Sequence, residues 1–252
     1  MKKLLDQHYF AINAESASGI KEFIKSPAHY RQWQTGEKEV TPAMKLGTAV
    51  HTCVLEPDMF AKHYTWTDLK KSTKEFKEVK KKAGSAVILN ESDYKTCLGI
   101  KQAVASHPLL KEVWPSLKHE LAFQWTDGAT GLACKSKIDS FNDEGHIYDL
   151  KTCQDAKDFA RSAIAFYRTQ AAFYHRALRS EQILARSFTF IAVEKAAPYG
   201  IMLYQLDKEC LAQADFEITQ ALEGIAEGKK TGIYKGYSSE VVTLSLKPWE
   251  RI

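Results

Sequence analysis

A single change of hydrophobic period limits what this chain can fold into. From Glu120 onward, in "ELAFQWTD", the apolar residues fall at every second position: Leu121, Phe123 and Trp125 point one way, and Glu120, Ala122 and Gln124 the other. "GLACKSKIDSF" and "HIYDLKT" continue as strands around the turn-forming "NDEG", which predicts a meander. Before that point the spacing is helical. "SASGIKEFIKSPAHYRQW" offers Ser16 or Ser18 as a cap and is interrupted by Pro27, "TPAMKLGTAVHTCVLEP" starts on Pro42, and "ESDYKTCLGIKQAVASHPLLKEVW" runs to Pro108. After the meander comes a long amphipathic helix, "DAKDFARSAIAFYRTQAAFYHRALRS". The strands "RSFTFIAVEK" and "YGIMLYQLD" and a last helix through "AQADFEITQALEGIAEG" follow. The expected class is α+β, and the chain reads as one domain, 1–252, with a helical part to about 115 and sheet and helices from about 116. The tail "YSSEVVTLSLKPWERI" is expected to pack on that domain or serve assembly.

With 44% hydrophobic residues over 252 positions, a substantial core can be buried. No apolar run of about 18 residues occurs, and the block after Met1 is too short for a signal peptide, so a cytoplasmic protein without membrane contact is expected. The five cysteines are scattered without a C-x-x-C pair, which disfavours disulfides, structural zinc and iron–sulfur clusters. A net charge of +4 does not by itself announce a nucleic-acid partner. Residues 69–84, with seven lysines against two glutamates, read as a solvated helix or as a mobile segment near phosphates.

The candidate chemistry lies in the meander. On a strand, Asp149 and Lys151 share one face; on the preceding strand, Lys135, Lys137 and Asp139 do. An antiparallel hairpin with a loop of three or five residues turns Asp139, Asp149 and Lys151 to the same side, with the two aspartates directly opposite or diagonal. Two carboxylates at that distance repel unless a divalent ion or a proton compensates them, and Lys151 adds one positive charge. Such a site suits water attack on a phosphodiester, with Lys151 orienting the water or neutralising developing charge. The competing reading is a solvated charged face. Glu120, also turned away from the apolar side of its strand, is expected as a further carboxylate. Lys135 and Lys137 are expected to meet phosphates. Ser26, His29 and Arg31 could form a terminal-phosphate pocket, although Ser26 and Pro27 equally read as the end of one helix and the start of the next.

Other residues accompany the triplet in a fixed order: "GTAVH" ending in His51, then Asp139, then "DLK", then "QAAFY" with Gln170 and Tyr174. Together these resemble the PD-(D/E)XK nuclease superfamily in its RecB-like branch. The wording of residues about 8 to 205 resembles the nuclease domain of RecE-type exodeoxyribonuclease VIII of phages and prophages. The resemblance implies a mixed central sheet flanked by helices, and an exonuclease that degrades one strand of linear duplex DNA from the 5′ end, leaving 3′ overhangs for recombination. It implies His51, Asp139, Asp149 and the main-chain carbonyl of Leu150 as ligands of Mg²⁺, with Mn²⁺ tolerated because of the imidazole. It further implies Lys151 as the catalytic lysine, Gln170 and Tyr174 as supporting or DNA-contacting residues, a homo-oligomeric ring, and a single-strand annealing protein as partner. The alternatives are a structure-specific or RecB-like endonuclease and a catalytically silent DNA-binding module.

Overall fold

The computed structural model describes residues 1–4, 6–37 and 39–245. Its strands are β1 (Lys2–Lys3), β2 (Tyr64–Trp66), β3 (Val87–Leu89), β4 (Lys118–Thr126), β5 (Ala133–Phe141), β6 (His146–Cys153), β7 (Ser187–Glu194) and β8 (Ile201–Gln205). Its helices are α1 (Asp6–Ala11), α2 (Ala17–Lys25), α3 (Pro27–Thr35), α4 (Pro42–Leu55), α5 (Pro57–His63), α6 (Lys74–Ala83), α7 (Glu91–Ser106), α8 (Pro108–Val113), α9 (Phe159–Ser162), α10 (Arg168–Ser180) and α11 (Lys208–Thr231).

The main sheet runs β1-β4-β5-β6-β7-β8. β4, β5 and β6 form the expected antiparallel meander; β7 lies parallel to β6 after the α9–α10 crossover, and β8 returns antiparallel. The sheet is therefore mixed, with helices on both faces. On one face Leu150, Ile191 and Val193 pack with Val50, Cys53 and Val54 of α4 and Cys97, Ile100 and Val104 of α7. On the other, Ile147, Phe188 and Phe190 pack with Phe159, Ala171 and Leu178 of the crossover. Covering both faces explains why β7 reads as an unbroken apolar run rather than an alternating one. A further cluster joins Ile20, Tyr30 and Phe173 to Ile218, Leu222 and Ile225 of α11.

Local chemistry sets the helix boundaries. Ser16 caps α2, accepting from Gly19 N at 3.4 Å, and Ser26 both ends α2 and caps α3, accepting from His29 N at 3.3 Å. Thr41 caps α4 ahead of Pro42, and Asp207 caps α11, which ends at left-handed Gly232. Two features depart from the sequence reading. The small parallel pair β2–β3 interrupts the helical first half. The long crossover helix is broken by a π turn at Ala163–Tyr167. Of the described tail, Tyr237 lies against the His29 ring at 5.4 Å between centroids, while Val241, Val242 and Leu244 are exposed. No described helix is long and apolar enough to cross a membrane.

Candidate active site

The site is built where the meander stops being regular. β5 and β6 are paired only at Ser140↔Tyr148 and Phe141↔Ile147. The next step of that register puts Asp139 opposite Asp149. There the strands part, and the Asp139 carboxylate takes the place of a ladder acceptor: its Oδ2 accepts from Leu150 N at 2.9 Å. Ile138 and Phe141 lie in the same core although strict alternation would separate them, so the side-chain sequence of β5 is interrupted at Asp139. Across the ladder the register Leu121↔Ile138 and His119↔Ser140 sets Glu120 opposite Asp139, and Glu120 adopts a positive φ of 57°. A left-handed glutamate inside a strand is uncommon and carries strain of about 1–3 kcal/mol, a cost that clusters at functional sites.

The distortion gathers donors from three elements. One ligand atom each of His51, from α4, Glu120, from β4, and Asp139, from β5, lie within 4.8 Å of one another. His51 Nδ1 is 3.4 Å from Asp139 Oδ2, and the backbone of Leu150 hydrogen bonds the imidazole. Burial, with the nearby Lys151 charge, pushes the His51 pKa down to about 4, so the ring is neutral near pH 7 and keeps a free lone pair. Burial and then the Asp139 charge push Glu120 up to about 7, and burial raises Asp139 as well. Buried carboxylates held above their ordinary range lack compensating positive charge. The set of hard oxygens plus one imidazole nitrogen fits a divalent cation such as Mg²⁺ or Mn²⁺.

Asp149 stands beside this trio and is not part of it. It is fully buried; its Oδ1 accepts from Gln170 Nε2 at 2.9 Å, while its Oδ2 is paired with the Lys151 ammonium. Burial raises its pKa to about 6, with Asp139 adding to the rise and Lys151 opposing it. Gln170 also donates to the Tyr174 hydroxyl at 2.9 Å, so this i,i+4 pair of α10 holds Asp149 from the face opposite α4. Burial and the Asp139 and Asp149 charges lift the Tyr174 pKa far above its usual value, which keeps the hydroxyl protonated. Burial disfavours the Lys151 charge, but Asp149 and Asp139 outweigh it and the ammonium is retained.

The trio opens into a cavity of about 440 Å³ lined by Tyr9, Phe10, Met44, Thr48, Lys137 and Tyr174. A second cavity of about 840 Å³ shares Tyr9, Phe10, Met44 and Tyr174 with it and continues past Trp33, Tyr167 and Gln170. Through these shared residues the two form one cleft, with Glu120 and Asp139 lining its smaller part.

Two basic residues expected to meet phosphates have partners within the chain. Lys135 lines the larger cavity, and its ammonium donates to the carbonyls of Tyr9 at 3.0 Å, Phe10 at 3.4 Å and Ile12 at 2.7 Å, holding that segment at the cleft wall. Arg31 lies on the exposed side of α3 with its guanidinium 5.7 Å from the Tyr234 ring centroid, and it lines neither cavity. Ser26 Oγ is engaged by His29 N and Nδ1, so the serine serves the helix junction. Lys137 does line the cleft, but paired with Glu120. Tyr9, Phe10 and Tyr167 escaped the sequence reading, because an aromatic residue at helical spacing looks like core.

The profile of the family described as "PDDEXK-like domain of unknown function (DUF3799)" matches residues 16–242. Among solved structures, the chain is similar to a protein from Eubacterium rectale named "Putative exonuclease", with a TM-score of 0.69 over 98% of this chain and 97% of that one. At 15% identity this likeness speaks to the fold. A second structure, SSO0001, gives a TM-score of 0.32 at 11% identity over 81% of this chain and 84% of that one, too low to carry an argument. No curated protein matches the chain.

Proposed function

We propose, from the premise that this chain belongs to the PDDEXK-like family, that it is a nuclease dependent on a divalent cation. More narrowly, we read it as a RecE-type exodeoxyribonuclease acting 5′ to 3′ on linear double-stranded DNA and leaving 3′ overhangs. The carrying observation is the convergence of His51, Glu120 and Asp139 within 4.8 Å on the floor of a cleft, beside a buried Asp149–Lys151 pair. The fold-level neighbour named as an exonuclease is in keeping with this.

In this reading His51, Glu120, Asp139, Asp149 and the Leu150 carbonyl hold Mg²⁺, with Mn²⁺ accepted at the imidazole. The bound cation supplies Lewis-acid polarisation of the phosphoryl group. The chain's own residues do the rest. Lys151, released in part from Asp149, orients the attacking water and offsets charge developing on the phosphate. Gln170 and Tyr174 keep Asp149 in place. Lys137 keeps the Glu120 carboxylate turned toward the site. The whole chain, 1–252, acts as one domain. Its partners are DNA ends, further copies of itself in a ring, and a single-strand annealing protein, in the cytoplasm of a bacterium carrying the phage or prophage.

The test compares 5′-labelled linear, 3′-labelled linear and covalently closed circular duplex DNA with purified protein and Mg²⁺, beside Asp149→Ala and Lys151→Ala. Early release of the 5′ label, intact circles and inactive variants are expected. Cleavage of circles would replace the exonuclease with an endonuclease, and DNA binding without cleavage in either Mg²⁺ or Mn²⁺ would leave a silent binding module.

A further inference from the structure

Tyr167 is the last residue of the π turn, one turn ahead of Gln170, and its ring faces the Lys151 ammonium at 5.2 Å from the centroid. The ring is itself backed by Phe159, stacked at 5.7 Å with an interplanar angle of 18°. Phe159 is buried in the core, so the aromatic face is anchored rather than free. The Lys151 side chain is only 16% exposed, which lets a cation–π contact count for more than it would in open water. π turns arise where a helix must change the phase of its side chains, and they recur at functional positions. Here Phe159 enters the core before the turn and Ala163 at its first residue, Tyr167 at its last residue meets the lysine, and Gln170 reaches Asp149 after it.

The lysine thus has two holders of different kinds. Asp149 holds it by charge, through an oxygen that the proposed cation would also claim. The ring of Tyr167 cannot bind that cation in place of a carboxylate, so its hold persists when Asp149 turns to another task. We propose that Tyr167 is a positioning residue whose aromatic face keeps the Lys151 ammonium at the reacting centre when Asp149 is engaged elsewhere. This rests on the nuclease reading for its catalytic consequence, but not for its geometry. The hydroxyl is dispensable in this role and the ring is not.

The experiment compares wild type, Tyr167→Phe and Tyr167→Leu in three measurements. The first is the single-turnover rate on linear duplex DNA with Mg²⁺; the second is affinity for the same DNA with Ca²⁺; the third is the proton spectrum of ¹³C-lysine-labelled protein with Ca²⁺, with Lys151 assigned by its loss in Lys151→Arg. Tyr167→Leu is expected to slow cleavage about tenfold, the range cation–π contacts of this kind span, with DNA affinity changed less than twofold and the melting temperature retained. Tyr167→Phe is expected to restore the rate to within about threefold. The ε-methylene protons of Lys151 are expected upfield in wild type and Tyr167→Phe, and at ordinary positions in Tyr167→Leu. Equal rates in wild type and Tyr167→Leu, equal loss in both variants, or a Lys151 signal without an upfield shift would each overturn the proposal. A wild-type protein that cuts nothing would sink the nuclease reading, while the lysine spectrum would still decide whether the ring holds the ammonium.

Discussion

Replacing Glu120 with Gln isolates the charge imbalance at the cleft floor. Burial, and then the Asp139 carboxylate, raise the Glu120 pKa from 4.5 to about 7, against the pull of Lys137. The folded chain therefore holds this proton more tightly than the unfolded chain does. The stabilisation is fully present below 4.5 and is lost as pH rises through about 7, beyond which the contribution is flat. At about 1.36 kcal/mol per pKa unit, the rise amounts to roughly 3 kcal/mol in full, most of which falls between pH 5 and pH 8. Urea unfolding in the presence of a chelator, at both pH values, reads it directly. Wild type should lose roughly 2 to 3 kcal/mol more than Glu120→Gln on going from pH 5 to pH 8, a difference that includes the relief of Asp139 once the neighbouring charge is gone. Excess Mg²⁺ should cancel most of this loss at pH 8 in wild type and less of it in Glu120→Gln, because the cation replaces the proton. Equal pH slopes for the two proteins, or a wild type that gains stability toward pH 8 relative to the variant, would refute the argument that Glu120 is buried without sufficient counter-charge.

Three other substitutions probe the frame. Gln170→Leu removes the donor to Asp149 Oδ1 and the bond to Tyr174, so unfolding free energy should fall by about 1–3 kcal/mol and DNA cleavage should fall more than DNA affinity. Gly145→Ala should destabilise by more than about 2 kcal/mol, since φ is +88° and a Cβ there would lie 1.9 Å from the Leu184 carbonyl oxygen; calorimetry showing an unchanged melting temperature would contradict that packing. Ser26→Ala should cost about 1 kcal/mol in denaturant titration by uncapping α3, with cleavage of DNA unaffected if the serine serves only the helix junction.

The legible parts of this protein are those governed by local periodicity. Prolines and short polar side chains marked the helix starts: of the offered Ser16 and Ser18 it is Ser16 that caps, and Ser26–Pro27 and Pro42 stand at the starts of α3 and α4. The alternation in "ELAFQWTD" and "HIYDLKT" predicted the meander, but whether Asp139 stands opposite or diagonal to Asp149 was left open, and the ladder stops at Ser140↔Tyr148 just before them. The partners of Lys135 were not legible for a physical reason: a lysine has a long stem, and what its ammonium meets depends on the segment 9–12 that tertiary packing lays across the cleft. Arg31 stayed ambiguous in the sequence, because a helix junction and an anion pocket draw on the same residue types.

What the sequence alone determined, then, is the class of structure and the residue types available to one strand face, since both follow from interactions a few residues apart. What only the tertiary structure decided is the site itself. The left-handed turn of Glu120, the parting of β5 from β6 at Asp139, the approach of His51 from another layer and the π turn that brings Tyr167 over Lys151 all depend on contacts between distant segments. No short stretch of chain would adopt them alone; they persist because the cores on both faces of the sheet hold the backbone where local preference would not.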